Sequence, residues 1–163
     1  MAKFLNQNKL PLVRILVLSC GIVFSILILS CSFPRIIVLD DPLSPEEHLN
    51  LGVTYERNGE FDHALKEYHT ASKKLPLAYL YIGNIYFHKN EYKEAEKYYI
   101  KAITKDVKNA DLYNNLAWLY YKKGENLEEA EGLALKALKM NPEKSDIYQD
   151  TLEKIRERKQ NKK

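Results

Sequence analysis

The chain has 163 residues, room for one compact domain or a short solenoid. Hydrophobic residues make up 45% and charged residues 29%, a balance that supports a packed core and argues against disorder. The formal charge of +3 does not mark a nucleic-acid binder: Lys3, Lys9 and Arg14 are the only bases before Cys31 and no acid precedes Asp40, so the rest carries 22 bases against 22 acids.

The first elements in chain order form an address. Lys3, Lys9 and Arg14 precede an apolar run over residues 15–29 without a charge, the basic and apolar regions of a secretory signal. The run ends in Ile28-Leu29-Ser30-Cys31, which resembles the lipobox of bacterial lipoproteins. That resemblance implies cleavage of residues 1–30 and a lipid on Cys31. Val17-Leu18-Ser19-Cys20 fits the same box, but only five residues separate Arg14 from Cys20, too few for an apolar region. Ser32, in place of the Asp that holds such lipoproteins at the inner membrane, implies the periplasmic face of the outer membrane. A second reading stands beside it: residues 15–33 are close to the ~20 needed to span a bilayer, with Arg14 and Arg35 as flanks, giving an uncleaved signal anchor. Both readings place the remainder outside the cytoplasm, because the bases before the run outnumber those just after it. Both cysteines lie in this segment, so no disulfide is available to the rest.

Residues 31–43 read as a tether, with an apolar stretch over 36–39. Ser44, Pro45 and Glu47 then mark a helix start: an N-cap, a proline at the first helical position and the acid that completes a capping box.

Three segments align from here. The first carries His48, Leu51-Gly52, Tyr55, Gly59, Phe61, Ala64, Tyr68, Ala71 and Pro76. The second carries Tyr79, Ile82-Gly83, Tyr86, Asn90, Tyr92, Ala95, Tyr99 and Ala102; the third Tyr113, Leu116-Ala117, Tyr120, Gly124, Leu127, Ala130, Ala134, Ala137 and Pro142. Small residues in each let two helices approach closely, aromatics fill the space around them, and Gly59, Asn90 and Gly124 suit the left-handed residue past a helix end. One such hairpin cannot bury its own apolar face, so the units must stack.

The pattern over residues 45–143 resembles the tetratricopeptide repeat. It implies an all-α fold, an α-α superhelix of three hairpins over 45–75, 76–109 and 110–143, followed by a capping helix and basic tail over 144–163. Two departures stand out. Gly52 to Gly83 spans 31 residues where the repeat has 34, which places the shortening in the connection 75–78, and the third turn, 124–127, carries an extra residue. In the last helix Ile147, Tyr148, Leu152 and Ile155 read as one inward stripe, and the bases from Lys154 onward as a solvated end.

No catalytic constellation emerges. His48, His63, His69 and His88 have no acid or cysteine partners at ligand spacing, and there is no phosphate-binding glycine loop or nucleophile motif. No metal, cofactor, small-molecule substrate or nucleic acid is expected. The family resemblance instead implies a protein-binding groove lined by the first helix of each hairpin. Carried across, the groove comprises Leu49, Val53 and Glu56; Leu80, Asn84, Phe87 and His88; and Asn114, Trp118, Tyr121 and Lys122. Asn84, Asn115 and Lys122 are a partial match to a carboxylate clamp, but Val53 and Trp118 stand where polar groups are required, and no clamp is expected. The alternative is that the last helix covers the groove and Trp118 is core. The resemblance implies a non-enzymatic adaptor that docks proteins of an envelope assembly or export system, or else an accessory subunit that regulates an exported peptidase or cell-wall hydrolase.

Overall fold

The structure is a computed structural model and describes residues 41–161. The signal segment, Cys31 and the apolar stretch of the tether lie outside the described residues. Among the described residues are seven α-helices: α1 Pro45–Arg57, α2 Phe61–Ala71, α3 Ala78–His88, α4 Tyr92–Thr104, α5 Ala110–Lys123, α6 Leu127–Met140 and α7 Ser145–Gln160. They form three antiparallel hairpins, α1–α2, α3–α4 and α5–α6, stacked in chain order. The helix α7 docks on α6 and α5 as the first helix of a fourth hairpin would.

The starts and stops follow local chemistry. Ser44 Oγ accepts from the Glu47 amide at 3.1 Å while Glu47 Oε2 accepts from the Ser44 amide at 2.7 Å, the expected capping box. Asn109 Oδ1 caps α5 through the Leu112 amide at 3.2 Å. Gly59, Asn90 and Gly124 all take the left-handed conformation, with φ of 79°, 60° and 70°. Asn126 (φ 49°) adds a second left-handed residue to the third turn, which is how the extra residue there is absorbed.

The shortening before the second hairpin is placed differently from the sequence expectation. The helix α2 stops at Ala71, whereas α4 continues past the equivalent Ala102 to Thr104. Likewise α3 starts five residues before Gly83, whereas α1 and α5 start seven before Gly52 and Ala117. The helix ends are trimmed, and the turn over 72–77 is not. Pro76 disfavours helix at Leu75, and the chain re-enters α3 through successive three-residue bonds, Ala78 to Leu75, Tyr79 to Pro76 and Leu80 to Leu77.

The core lies between the helices of each hairpin and continues between hairpins. Ala64, Tyr68, Ala71, Ile82 and Ile85 form one cluster, and Tyr99, Leu112, Leu116, Leu119, Leu152 and Ile155 belong to another. The last helix is held by more than its apolar stripe. Tyr148 Oη donates to Asp111 at 2.8 Å, and Glu131 accepts from Arg156 and Lys159, each at 2.7 Å. Arg158 donates to the Tyr121 carbonyl at the end of α5. The basic stretch is therefore a latch rather than a solvated end, because its cations reach acids and a helix C-terminus on two neighbouring helices. Ile147 leaves the stripe: Tyr148, Leu152 and Ile155 are buried, whereas Ile147 is 58% exposed.

Candidate interaction groove

Side chains from α1, α3, α5 and α7, with Phe61 of α2 and Tyr99 of α4, line three clefts in a row. The first is formed by Val53, Glu56 and Arg57 with Phe61, Tyr81, Asn84 and His88. The second is formed by Asn84, Phe87 and His88 with Tyr99, Asn115 and Trp118. The third is formed by Asn114, Asn115 and Trp118 with Ile147, Asp150, Thr151 and Lys154. Asn84 and His88 are shared by the first pair of clefts, and Asn115 and Trp118 by the second pair, so the row is continuous.

The floor of the second cleft is a hydrogen-bonded relay. Tyr99 Oη and Asn115 Nδ2 both donate to Asn84 Oδ1 at 2.9 Å. With that oxygen saturated, Asn84 has only its Nδ2 donors left for a ligand, while Asn115 keeps its Oδ1 acceptor. Phe87 and Trp118 wall this polar floor. In the first cleft Glu56 accepts from Tyr68 Oη at 2.6 Å. Burial first, and that hydrogen bond second, push the Tyr68 hydroxyl well above the ordinary tyrosine range, so it remains a donor.

Trp118 stacks on Tyr121 with centroids 4.7 Å apart. Lys122 and Lys154 each place their ammonium 5.4 Å from the indole. The last helix extends the row at this end and leaves the first two clefts uncovered; Trp118 is half-buried at the boundary.

The structure brings together Val53, Glu56, Asn84, Phe87, His88, Asn114 and Trp118 as cleft-lining residues. Leu49 and Leu80 line none of these three clefts. Three residues before Gly52 and Gly83, they sit on the side of the helix that packs into the hairpin stack, at 9% and 4% exposure. Tyr121 is occupied by packing, with Trp118 on its ring and the Arg158 guanidinium 5.2 Å from its centroid. Lys122 touches the groove only through Trp118.

Sequence reasoning missed Tyr99, which read as a packing aromatic, Tyr81, which it did not single out, and the contribution of α7. Ile147 read as part of the inward stripe with Tyr148, Leu152 and Ile155, but it lines the third cleft instead. Among the described residues no group of three or more His, Cys, Asp or Glu is placed to hold a metal ion. His48 is instead buried between acids, with Nδ1 2.6 Å from Glu67 and Nε2 3.0 Å from Asp41. The second contact is close enough for an ion pair but too poorly aligned for a hydrogen bond. No helix among the described residues is long and apolar enough to cross a membrane.

Stacked helical hairpins with a groove lined by every first helix define an α-helical repeat protein. A family model described as TPR repeat matches residues 83–124, and one described as tetratricopeptide repeat matches residues 109–141. The chain is 38% identical over 71 residues to tetratricopeptide repeat protein 6 of Homo sapiens, over 42% of this chain and 14% of that one. It therefore spans only a small part of that relative's length. Residues 83–141 therefore carry tetratricopeptide repeats.

Solved structures share the fold. The first TPR domain of Spaghetti (RPAP3), bound to the HSP90 peptide SRMEEVD, superposes with a TM-score of 0.64 at 19% identity, over 72% of this chain and 94% of that one. BtubC (BKLC) from P. vanneervenii gives 0.60 at 21% identity, over 70% and 56%. A tetratricopeptide repeat protein from Parabacteroides merdae ATCC 43184 gives 0.63 at 22%, over 75% and 48%.

Proposed function

We propose that this protein is a non-enzymatic adaptor that holds an extended segment of a partner protein in the groove between α1 and α7, and that its N-terminus anchors it at an extracytoplasmic membrane face. The observation that carries the binding role is the continuous row of three clefts joined by shared residues. The three clefts hold about 430, 240 and 240 Å³, two of them below the about 300 Å³ at which small-molecule sites begin. A row of shallow clefts suits successive side chains of one extended chain. The unsatisfied Asn84 donors and Asn115 acceptor suit its peptide groups. The peptide complex of the structurally similar Spaghetti domain supports the same use of this fold. The anchoring role rests on residues 1–31: the basic and apolar run, and the lipobox that ends in Cys31. Two or three acyl chains on Cys31 would give stable attachment where one would not.

Crosslinked pull-down from membranes tests the groove, comparing the native chain with Phe87→Ala plus Trp118→Ala. Loss of specific partners from the folded variant is expected, and an unchanged partner set would overturn the groove reading. For the anchor, Cys31→Ser should abolish acyl labelling and processing. Retention of the wild-type mature size would overturn the lipid.

A further inference from the structure

Asn114 stands at the register where the first two hairpins carry Leu49 and Leu80, three residues before the small residue that meets the second helix. Both leucines are buried. Asn114 is buried as well, at 7% exposure, and its Oδ1 is shut off from solvent with no hydrogen-bond donor among the described residues. Nothing in the packing calls for an amide: a leucine fills this register twice in the same chain. Buried acceptors normally have a donor, and an orphan is a standing cost to the fold.

The amide lines the third cleft, beside Trp118 and Ile147. Ile147 is the most exposed of the large hydrophobic residues described, on a helix that buries its other three apolar side chains. Of the two cations at Trp118, Lys154 is neutralised by Asp150 at 2.6 Å. Among the described residues no acid lies within ion-pair distance of Lys122. An unsatisfied amide, an uncovered aliphatic side chain and an unpaired cation thus converge on one tryptophan.

The geometry points to the cleft between α5 and α7 as a further subsite of the groove, which takes an aliphatic side chain of an extended partner peptide. The peptide backbone bonds to Asn114, and an acidic residue within two positions meets Lys122. Rotation about the last side-chain bond lets either end of the Asn114 amide face the peptide, so it serves a carbonyl or an N–H. The helix α7 is then part of the recognition surface as well as the cap. This inference rests on the groove reading above and specifies the partner's chemistry at one end.

The test uses the full chain in detergent micelles as bait for a displayed library of random dodecapeptides, followed by affinity measurement on the most enriched peptide. The expected consensus pairs an aliphatic residue with an acid within two positions. Ile147→Ser should weaken that peptide about tenfold, and Lys122→Glu should shift the consensus toward basic residues. The decisive variant is Asn114→Leu, which restores the repeat's own core residue. It should raise the melting temperature while weakening the peptide about tenfold, a split that a merely structural asparagine would not produce. Peptides that respond to Phe87→Ala but bind Asn114→Leu and Ile147→Ser within twofold of wild type would overturn this inference and leave the groove intact. Failure to enrich any peptide would overturn both.

Discussion

Tyr99 lies over Gly83 so closely that a Cβ at position 83 would stand 2.5 Å from its Cε1. The ring passes across the glycine and its hydroxyl ends on Asn84, which gives the groove its polar floor. Tyr68 covers Gly52 in the same way, with a Cβ clash at 2.4 Å. The third hairpin solves the contact with Ala117 against Ala134 at the same register, both buried. Glycine with tyrosine and alanine with alanine are two fillings of one helix–helix contact, and each is consistent only as a pair.

Gly83→Ala should therefore destabilise the protein by about 1–3 kcal/mol, the range for overpacking a closed contact. The obstructing atoms belong to a ring that is 1% exposed and tied by its hydroxyl to Asn84, so it cannot easily swing away. The double variant Gly83→Ala plus Tyr99→Ala should be more stable than Tyr99→Ala alone, because the new methyl then fills space that the ring vacated. Denaturant unfolding of the three variants reads this directly. Strict additivity would show that the two positions do not share one contact.

Much of this fold was legible because the repeat states it three times. Three copies of a small residue facing an aromatic or alanine fixed the hairpins, and Ser44 with Glu47 fixed the first helix start. The groove was less legible, because the face toward the groove and the face toward the next hairpin adjoin on the same helix. Leu49 and Leu80 are buried at a register where Asn114 lines the third cleft. Tyr99 read as a core aromatic, although it supplies both core and groove floor, and Tyr81 lies off the aligned positions of the repeat. The third cleft was hidden because it depends on where α7 docks, and that is set by latches 25 to 37 residues apart in sequence, such as Arg156 to Glu131 and Tyr148 to Asp111.

Alkaline pH should unfold the chain through its buried tyrosines. Burial, then the charges of Glu96 and Glu129, push Tyr120 up to about 12. Burial, then the hydrogen bond to Asp111, push Tyr148 up to about 12 as well. Tyr68 and Tyr99 are also shifted upward, again with burial first. A raised folded value means that stability is fully present below the ordinary value of 10 and is lost as pH rises through the folded value. Helical signal should hold to about pH 10 and fall steeply toward pH 12. Of the twelve tyrosines, a late group should ionise only as the helices melt. A tyrosinate absorbance curve complete before the loss of helix would contradict this.

Acid should act at the other end, on the latch at Glu131. Its hydrogen bonds from Lys159 and then Arg156 hold its carboxyl below the ordinary value of 4.5. A depressed value contributes stability above 4.5 that is lost as pH falls through the folded value. Glu131→Gln at neutral pH should reproduce the acid effect locally: amides of α7 exchange faster, while those of α1 and α2 keep wild-type protection. The pair is exposed enough for salt to weaken it, so raised ionic strength should move wild type in the same direction. Equal exchange of α7 in both proteins would mean that Tyr148, Leu152 and Ile155 hold the helix unaided.

Trp118, the chain's single tryptophan, offers a reading of the groove's charge without any ligand. It is half-buried with Lys122 and Lys154 over its ring, and among the described residues only Lys154 of the two has an acid partner. A net cation beside a partly exposed indole concentrates anions there. Iodide should therefore quench its fluorescence more efficiently than caesium at equal ionic strength, and the gap should close as salt is raised. Lys122→Glu removes the unpaired cation and places an anion in its stead, so the order of the two quenchers should reverse. Lys154→Gln should change it less, because it removes one positive charge and frees Asp150, whereas Lys122→Glu changes the local charge by two units. If iodide and caesium quench alike in the wild type, the Lys122 ammonium is not acting at Trp118, and an acidic residue in the partner has no counterpart at that end of the groove.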